Sequence, residues 1–531
     1  MGHYHGGSFR LIAGRDVTVD KRDVILLRQP GTAQQDSFRF LSEPGFAQGP
    51  LKLDANQEAV FQRILRGAPS RTLANGSSAV QIDAYDPIWG DYPNSPTLSL
   101  NAIDTAELVE IGQNLTKPCS AGDPSPGNSQ CPAAYTYFGQ FIAHDLSDMV
   151  VETAGTTNLQ TASLDLSSVF GTDIDFAQSF VGPTTPQNDL RDIARDAAGA
   201  PEIKDRRNDA NLAVAQVHNM VARFFLRERA QPGQTEATAR RATINYFQTA
   251  VMQDYLPRIV GQAEVNAVLA GPRLLQQSAP FLIPMEFALA CFRFGHAQVR
   301  DNYFHGFAPQ SVTPGDLIDF THAGGLFANT AAGDPKVLPS DWQMVWPKMI
   351  GATATLRTRR IAARIANNHG EIKSAIVNDA QAPDGGRINL AAETLIRGKR
   401  LHLPSAQVLI AWIKANHPLV PLAHIDLQDA ATLDKAARFT TPALRTLLEN
   451  GLAENTPLWL YTLLESQAAS DGEQLGPLAG RIVAETLIAA IEADPQGILS
   501  PGNTFQALDL NGTPVQGNYG FDKFVERAFS P

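Results

Sequence analysis

A chain of 531 residues with 44% hydrophobic and 18% charged residues carries enough apolar material for a large core, which excludes wholesale disorder. Its formal charge of −11 and pI near 5.5 exclude a general nucleic-acid binder, which needs a basic surface. No apolar run approaches the roughly 18–20 residues of a membrane span, and the start of the chain, Met1 to Gly7, lacks the apolar stretch of a standard secretory signal.

In chain order, Met1 to Gly7 reads as a polar tail despite its two histidines. Residues 1 to about 115 are rich in Gly, Pro, Asp and Asn, and the stretch Asp86 to Pro93 reads as part of an irregular, turn-rich arm. Cys119 and Cys131 bracket a loop of turn-forming residues, which leaves a disulfide between them open, and Cys291 reads as a packed core residue. The absence of CxxC and CxxCH excludes the common zinc pattern and c-type haem attachment. From about residue 132 helical patterns dominate. Pro132 can open a helix through 148. Leu212, Val217, Val221, Phe224 and Phe225 form a helical stripe within 207–229. Further helices are expected over 236–255, 284–300, 404–416, 456–468 and 476–493. Strand-like alternation is scarce, no repeat is evident, and no linker divides the last 400 or so residues. The expected architecture is one mostly α domain with an N-terminal arm.

Two histidine segments carry the chemistry. Phe138-Gly139-Gln140-Phe141-Ile142-Ala143-His144-Asp145 puts Gln140 and His144 on one helix face, four residues apart. Phe292-Arg293-Phe294-Gly295-His296 puts a second histidine among apolar neighbours. One such histidine can ligate a haem iron while the other moves protons above it. Taken alone, either histidine reads as a buried, hydrogen-bonded core residue.

Six segments in order make the sequence similar to the animal-type haem peroxidases, the peroxidase–cyclooxygenase superfamily, in its bacterial branch. Tyr137 to Leu146 resembles the family's distal helix, and Met285 to His296 its proximal helix. Asp205-Arg206-Arg207-Asn208-Asp209-Ala210-Asn211-Leu212, followed by His218, resembles the segment that carries the distal arginine. Asp254 to Gly261, Arg397 to Ser405, and the pair Asn455 to Trp459 with Leu475 to Glu485 complete the set. The resemblance runs from about 130 to 500. It implies a single large helical peroxidase domain over 116–531 behind an irregular arm over 1–115.

Residue by residue, the resemblance implies His144 as the acid–base histidine, Gln140 as its glutamine partner and Arg207 as the distal arginine. It implies His296 as the iron ligand and Arg293 and Arg397 as partners of the haem propionates. On sequence alone Arg207 also reads as an ion pair with Asp205 or Asp209, and Arg293 and Arg397 as ordinary charge pairs. Asp145 and the loop Thr161, Ser163, Asp165 and Ser167 resemble a structural calcium site, with two carboxylates and several neutral oxygens; the alternative is a helix cap beside a solvated loop.

The departures are as informative. Ala143 and Ala210 occupy the positions from which the mammalian peroxidases form ester bonds to haem, so the resemblance implies noncovalent haem b and disfavours halide oxidation, of chloride above all. Thr394 replaces the asparagine that hydrogen-bonds the proximal histidine, where a hydroxyl is a weaker acceptor for the imidazole N–H. Arg293 replaces the radical-forming tyrosine of the fatty-acid oxygenases. The expected function is a peroxidase that reduces hydrogen peroxide and oxidises a small organic, phenol-like donor. Lipid hydroperoxide processing or fatty-acid oxygenation is the alternative, and a non-catalytic haem-binding protein the third reading. The expected location is cytoplasmic, or secreted without a standard signal. Oligomeric state has no sequence signal.

Overall fold

The computed structural model describes residues 103–119, 124–152, 155–158, 160–171, 191–196, 199–275, 281, 283–307, 311–319, 321, 338–370, 372–373, 387–401 and 403–530, together with the backbone of short strands between 3 and 83. The sequence reads 1–115 as irregular. The backbone there includes a six-stranded sheet, in the order 45–46, 37–42, 25–29, 8–13, 78–83, 70–72, with 8–13 and 25–29 parallel and the other pairs antiparallel. These strands span two to six residues. His3–Tyr4, within the expected polar tail, pairs antiparallel with Met149–Val150. Asp86 to Pro93 lies outside the described residues.

Beyond residue 103 helices dominate. Helix α1 (Thr105–Thr116) crosses α7 (Leu390–Arg400) at Gly112, where a Cβ would collide with the backbone of Ala392. Helix α2 (Ala134–Leu146) follows the strand Asn128–Pro132, which pairs with Arg357–Arg359, so Pro132 ends a strand and does not open the helix. Apart from Gln140 and Ala143, every residue of α2 is buried, which marks it as a central element. Helices α3 (Leu212–Ala230) and α4 (Glu236–Ala250) pack beside it, and the amphipathic C-terminal helix α10 (Phe521–Phe529) lies on α3 with Phe524 stacked on Phe224 at 4.1 Å. Helices α8 (Leu458–Ser470) and α9 (Pro477–Glu492) close the other side. Among the described residues, no helix is long and apolar enough to cross a membrane.

Two expected continuous helices are interrupted, and both interruptions face the centre. After α4 the chain widens into a π turn over Val251–Tyr255. Asp254 within that turn accepts from the hydroxyl of Tyr135 and, at 2.9 Å, from the amide of Phe521. The segment 284–300 breaks at Ala290, whose φ of −136° and ψ of −72° leave the helical region. It yields α5 (Met285–Leu289), a 3₁₀ turn over Cys291–Phe294 and α6 (Gly295–Gln298). Trp459 of α8 anchors the break by donating its indole N–H to the Arg293 carbonyl at 3.1 Å.

Candidate active site

The interruptions open a cavity of ≈ 300 Å³ between α2 on one side and the 3₁₀ turn with α6 on the other. Gln140, His144 and Arg207 line it together with Arg293, His296 and Arg397, so residues distant in sequence meet at one site. Ala143 and Ala210 line it too, with no side chain capable of an ester bond. Tyr137 and Tyr255 add two phenols to its wall. Gly139 makes room for one of them, because a Cβ there would strike the Tyr255 hydroxyl.

On the α2 side, His144 Nδ1 lies 2.9 Å from Asn208 Oδ1, and Asn208 Nδ2 lies 3.1 Å from His218 Nδ1. Gln140 Oε1 accepts from Asn211 Nδ2 at 3.0 Å. Both asparagines belong to the turn that precedes α3. A buried frame fixes this turn: Arg195 reaches Asp209 at 2.8 and 2.9 Å and Asp192 at 2.9 and 3.2 Å. Arg207 donates to the carbonyls of His144 (2.9 Å) and Ser147 (2.5 Å) and from Nε to Asp205 at 3.0 Å. The ion pair with Asp205 that the sequence allowed is therefore formed, and Arg207 also secures the C-terminal end of α2. Burial, then the Arg207 charge, lowers the pKa of His144 to about 4, so its imidazole is neutral at pH 7.

On the facing side, burial first, then the charge of Arg293, holds His296 well below the usual histidine range. Its ring stands edge-on to Trp459 at 5.8 Å. Thr394 is buried but is not part of the cavity lining, and its hydroxyl donates to the Leu390 carbonyl at 2.7 Å. The expected hydrogen bond between Thr394 and His296 is thus not made, and His296 Nδ1 has no hydrogen-bond partner among the described residues. Sequence reasoning missed His369, which lines the cavity and lies near-parallel to His296 at 6.2 Å. It comes from the short turn Asn367–Gly370, which carries no periodic signal.

The loop over 161–167 closes on α2. Thr161 Oγ1 lies 2.6 Å from Asp165 Oδ1, 3.2 Å from Ser167 Oγ and 3.3 Å from the Ser163 carbonyl. Asp145 accepts from the amides of Leu166 and Ser168, each at 3.0 Å. Burial, then the neighbouring Asp165, pushes the Asp145 carboxyl well above its ordinary range. No group of three or more His, Cys, Asp or Glu with metal-binding geometry occurs among the described residues. Cys119, Cys131 and Cys291 are all free, which answers the open question of the disulfide, and Cys291 is buried as expected.

Residues 210–400 match the family model described as animal haem peroxidase. The matched stretch holds Arg293, His296, Thr394 and Arg397 and leaves Gln140, His144 and Arg207 outside it. No curated protein sequence matches the chain. Among solved structures, peroxidase A from Dictyostelium discoideum is similar over 80% of this chain and 88% of its own, at 12% identity and a TM-score of 0.53. A variant of the Oryza sativa fatty acid alpha-dioxygenase with palmitic acid is similar over 81% of this chain and 76% of its own, at 11% identity and a TM-score of 0.50. At such identities the likeness concerns the fold.

Proposed function

We propose that this chain, whose residues 210–400 match the animal haem peroxidase model, is a haem-dependent peroxidase that reduces hydrogen peroxide and oxidises a small phenol-like donor. The observation that carries the reading is the convergence of His144 and His296 on one interior cavity. The residues fit haem b. His296 supplies a neutral imidazole to the cavity, and Arg293 and Arg397 bring two permanent cations to the same cavity for the haem carboxylates. Alanine at 143 and 210 leaves the group held without ester bonds.

Bound haem would supply the iron centre at which peroxide is reduced. The chain's own residues do the rest. His144 is uncharged at neutral pH and can accept a peroxide proton, then return it to the departing oxygen. Gln140 sits one helical turn away on the same face and can hold the peroxide or a water beside it. Arg207 adds fixed positive potential at that end of the cavity, partly offset by Asp205. Asp145, Thr161, the Ser163 carbonyl, Asp165 and Ser167 would hold calcium, tying the loop to the residue next to His144.

A second reading is fatty-acid oxygenation. The arginine at 293 speaks against it, but Tyr137 and Tyr255 in the cavity wall offer oxidisable phenols at other positions. Parallel assays of peroxide with a phenol, peroxide with chloride or bromide, and oxygen with an unsaturated fatty acid separate the two. Phenol turnover is expected to exceed the others. Efficient lipid oxygenation with little phenol turnover would reverse the order.

A further inference from the structure

The turn between Arg207 and α3 does more than carry the arginine. It sends one asparagine to each cavity side chain of α2: Asn208 to His144 and Asn211 to Gln140. The orientation of Asn211 is fixed by chemistry. Its Oδ1 caps α3 by accepting from the Val214 backbone amide at 2.9 Å. Its other terminus must therefore be the NH₂ group, which donates to Gln140 Oε1. Gln140 thus turns its carbonyl toward Asn211 and keeps its own NH₂ group for the cavity. Asn208 is wholly buried between two imidazoles, accepting from His144 Nδ1 and donating to His218 Nδ1. A neutral imidazole with a proton on Nδ1 has its lone pair on Nε2. His218 ends the chain as an acceptor and is itself neutral, since burial lowers its pKa to about 4.

We propose that Asn208 and Asn211 are positioning residues that set the hydrogen-bond polarity of this cavity face, holding His144 as an acceptor at Nε2 and Gln140 as a donor beside it. An acceptor next to a donor is the pattern that binds an HO–OH molecule in one orientation, with one O–H directed at His144 and an oxygen lone pair directed at Gln140. In the opposite polarity His144 has no lone pair available to a guest. The functional meaning rests on the peroxidase reading; the tautomer itself does not, so the two can fail separately.

The test uses the whole protein labelled with [¹⁵N]histidine, any bound haem being kept in its diamagnetic reduced, carbon monoxide-bound form. His144 signals are assigned by their loss in His144→Ala. The wild type is expected to show a protonated Nδ1 and an unprotonated Nε2. Asn208→Leu should give mixed tautomers and slow the reaction with peroxide about tenfold, the equivalent of one net hydrogen bond. Asn208→Asp keeps the acceptor and should restore both the tautomer and most of the rate. Asn211→Asp keeps the α3 cap but cannot donate to Gln140, and should shift the infrared C–O stretch of the bound carbon monoxide. A wild-type His144 protonated on Nε2 overturns the inference, as does a tautomer and rate unchanged in Asn208→Leu. An unmoved C–O stretch in Asn211→Asp removes the part concerning Gln140. Absence of bound haem in a protein with the expected tautomer would instead count against the peroxidase reading.

Discussion

At the scale of single residues, the two cavity histidines should fail in different ways. His144→Ala should leave haem bound and slow the reaction with peroxide by about 10²–10⁴-fold, the usual worth of a positioned acid–base group. His296→Ala should disturb ligation itself, visible as an altered absorption spectrum before any peroxide is added. Stopped-flow spectra of both variants separate these outcomes, and an unchanged rate in His144→Ala would remove the role assigned to it. Ala143 and Ala210 both line the cavity, so acid–butanone treatment should extract the haem completely. Haem that stays with the polypeptide would require a covalent link from another residue.

At the scale of elements, helix ends and interruptions carry the design. Helix α9 starts at Gly476-Pro477 with no side-chain cap of its own, and Glu465 of α8 serves in its place, accepting from Leu478 at 2.9 Å and Ala479 at 3.2 Å. Burial pushes this carboxyl from 4.5 up to about 8 despite its two amide donors. The folded state therefore binds the proton more tightly than the unfolded chain does. Its stabilising effect is complete below the unfolded value and is lost as pH rises toward about 8. Melting temperature should fall over that window in the wild type and fall less in Glu465→Gln; parallel slopes would contradict the assignment. The helices themselves were legible, because apolar stripes such as Leu212, Val217, Val221 and Phe225 keep the 3.6 period. The break at Ala290 and the π turn at 251–255 were not. Their causes are tertiary: the Trp459 indole on the Arg293 carbonyl, and Asp254 tied to Tyr135 and Phe521. The same limit hid His369, and it hid the missing contact of Thr394, whose hydroxyl turns back to its own helix. Family resemblance brought Gln140, His144, Arg207, Arg293, His296 and Arg397 to one place; it was silent on the asparagines that hold two of them.

At the scale of the molecule, the loop over 161–167 and helix α2 meet through oxygen atoms that crowd one another, with burial and then the neighbouring Asp165 raising the cost of charge on Asp145. A bound divalent cation would reverse that cost, and a ligand held only by the native state raises stability by mass action. Chelation should therefore lower the melting temperature, and calcium should restore it. No calcium by elemental analysis, with no chelator effect, would exclude the site. The proposed function requires that the cavity between His144 and His296 hold haem and support reduction of peroxide. An absorption spectrum of the purified protein, supplied with haem and recorded before and after hydrogen peroxide, tests it most directly. A Soret band of histidine-ligated haem b is expected, changing within the mixing experiment and returning when a phenol is added. A protein that takes up no haem, or whose bound haem is unmoved by peroxide, would contradict it.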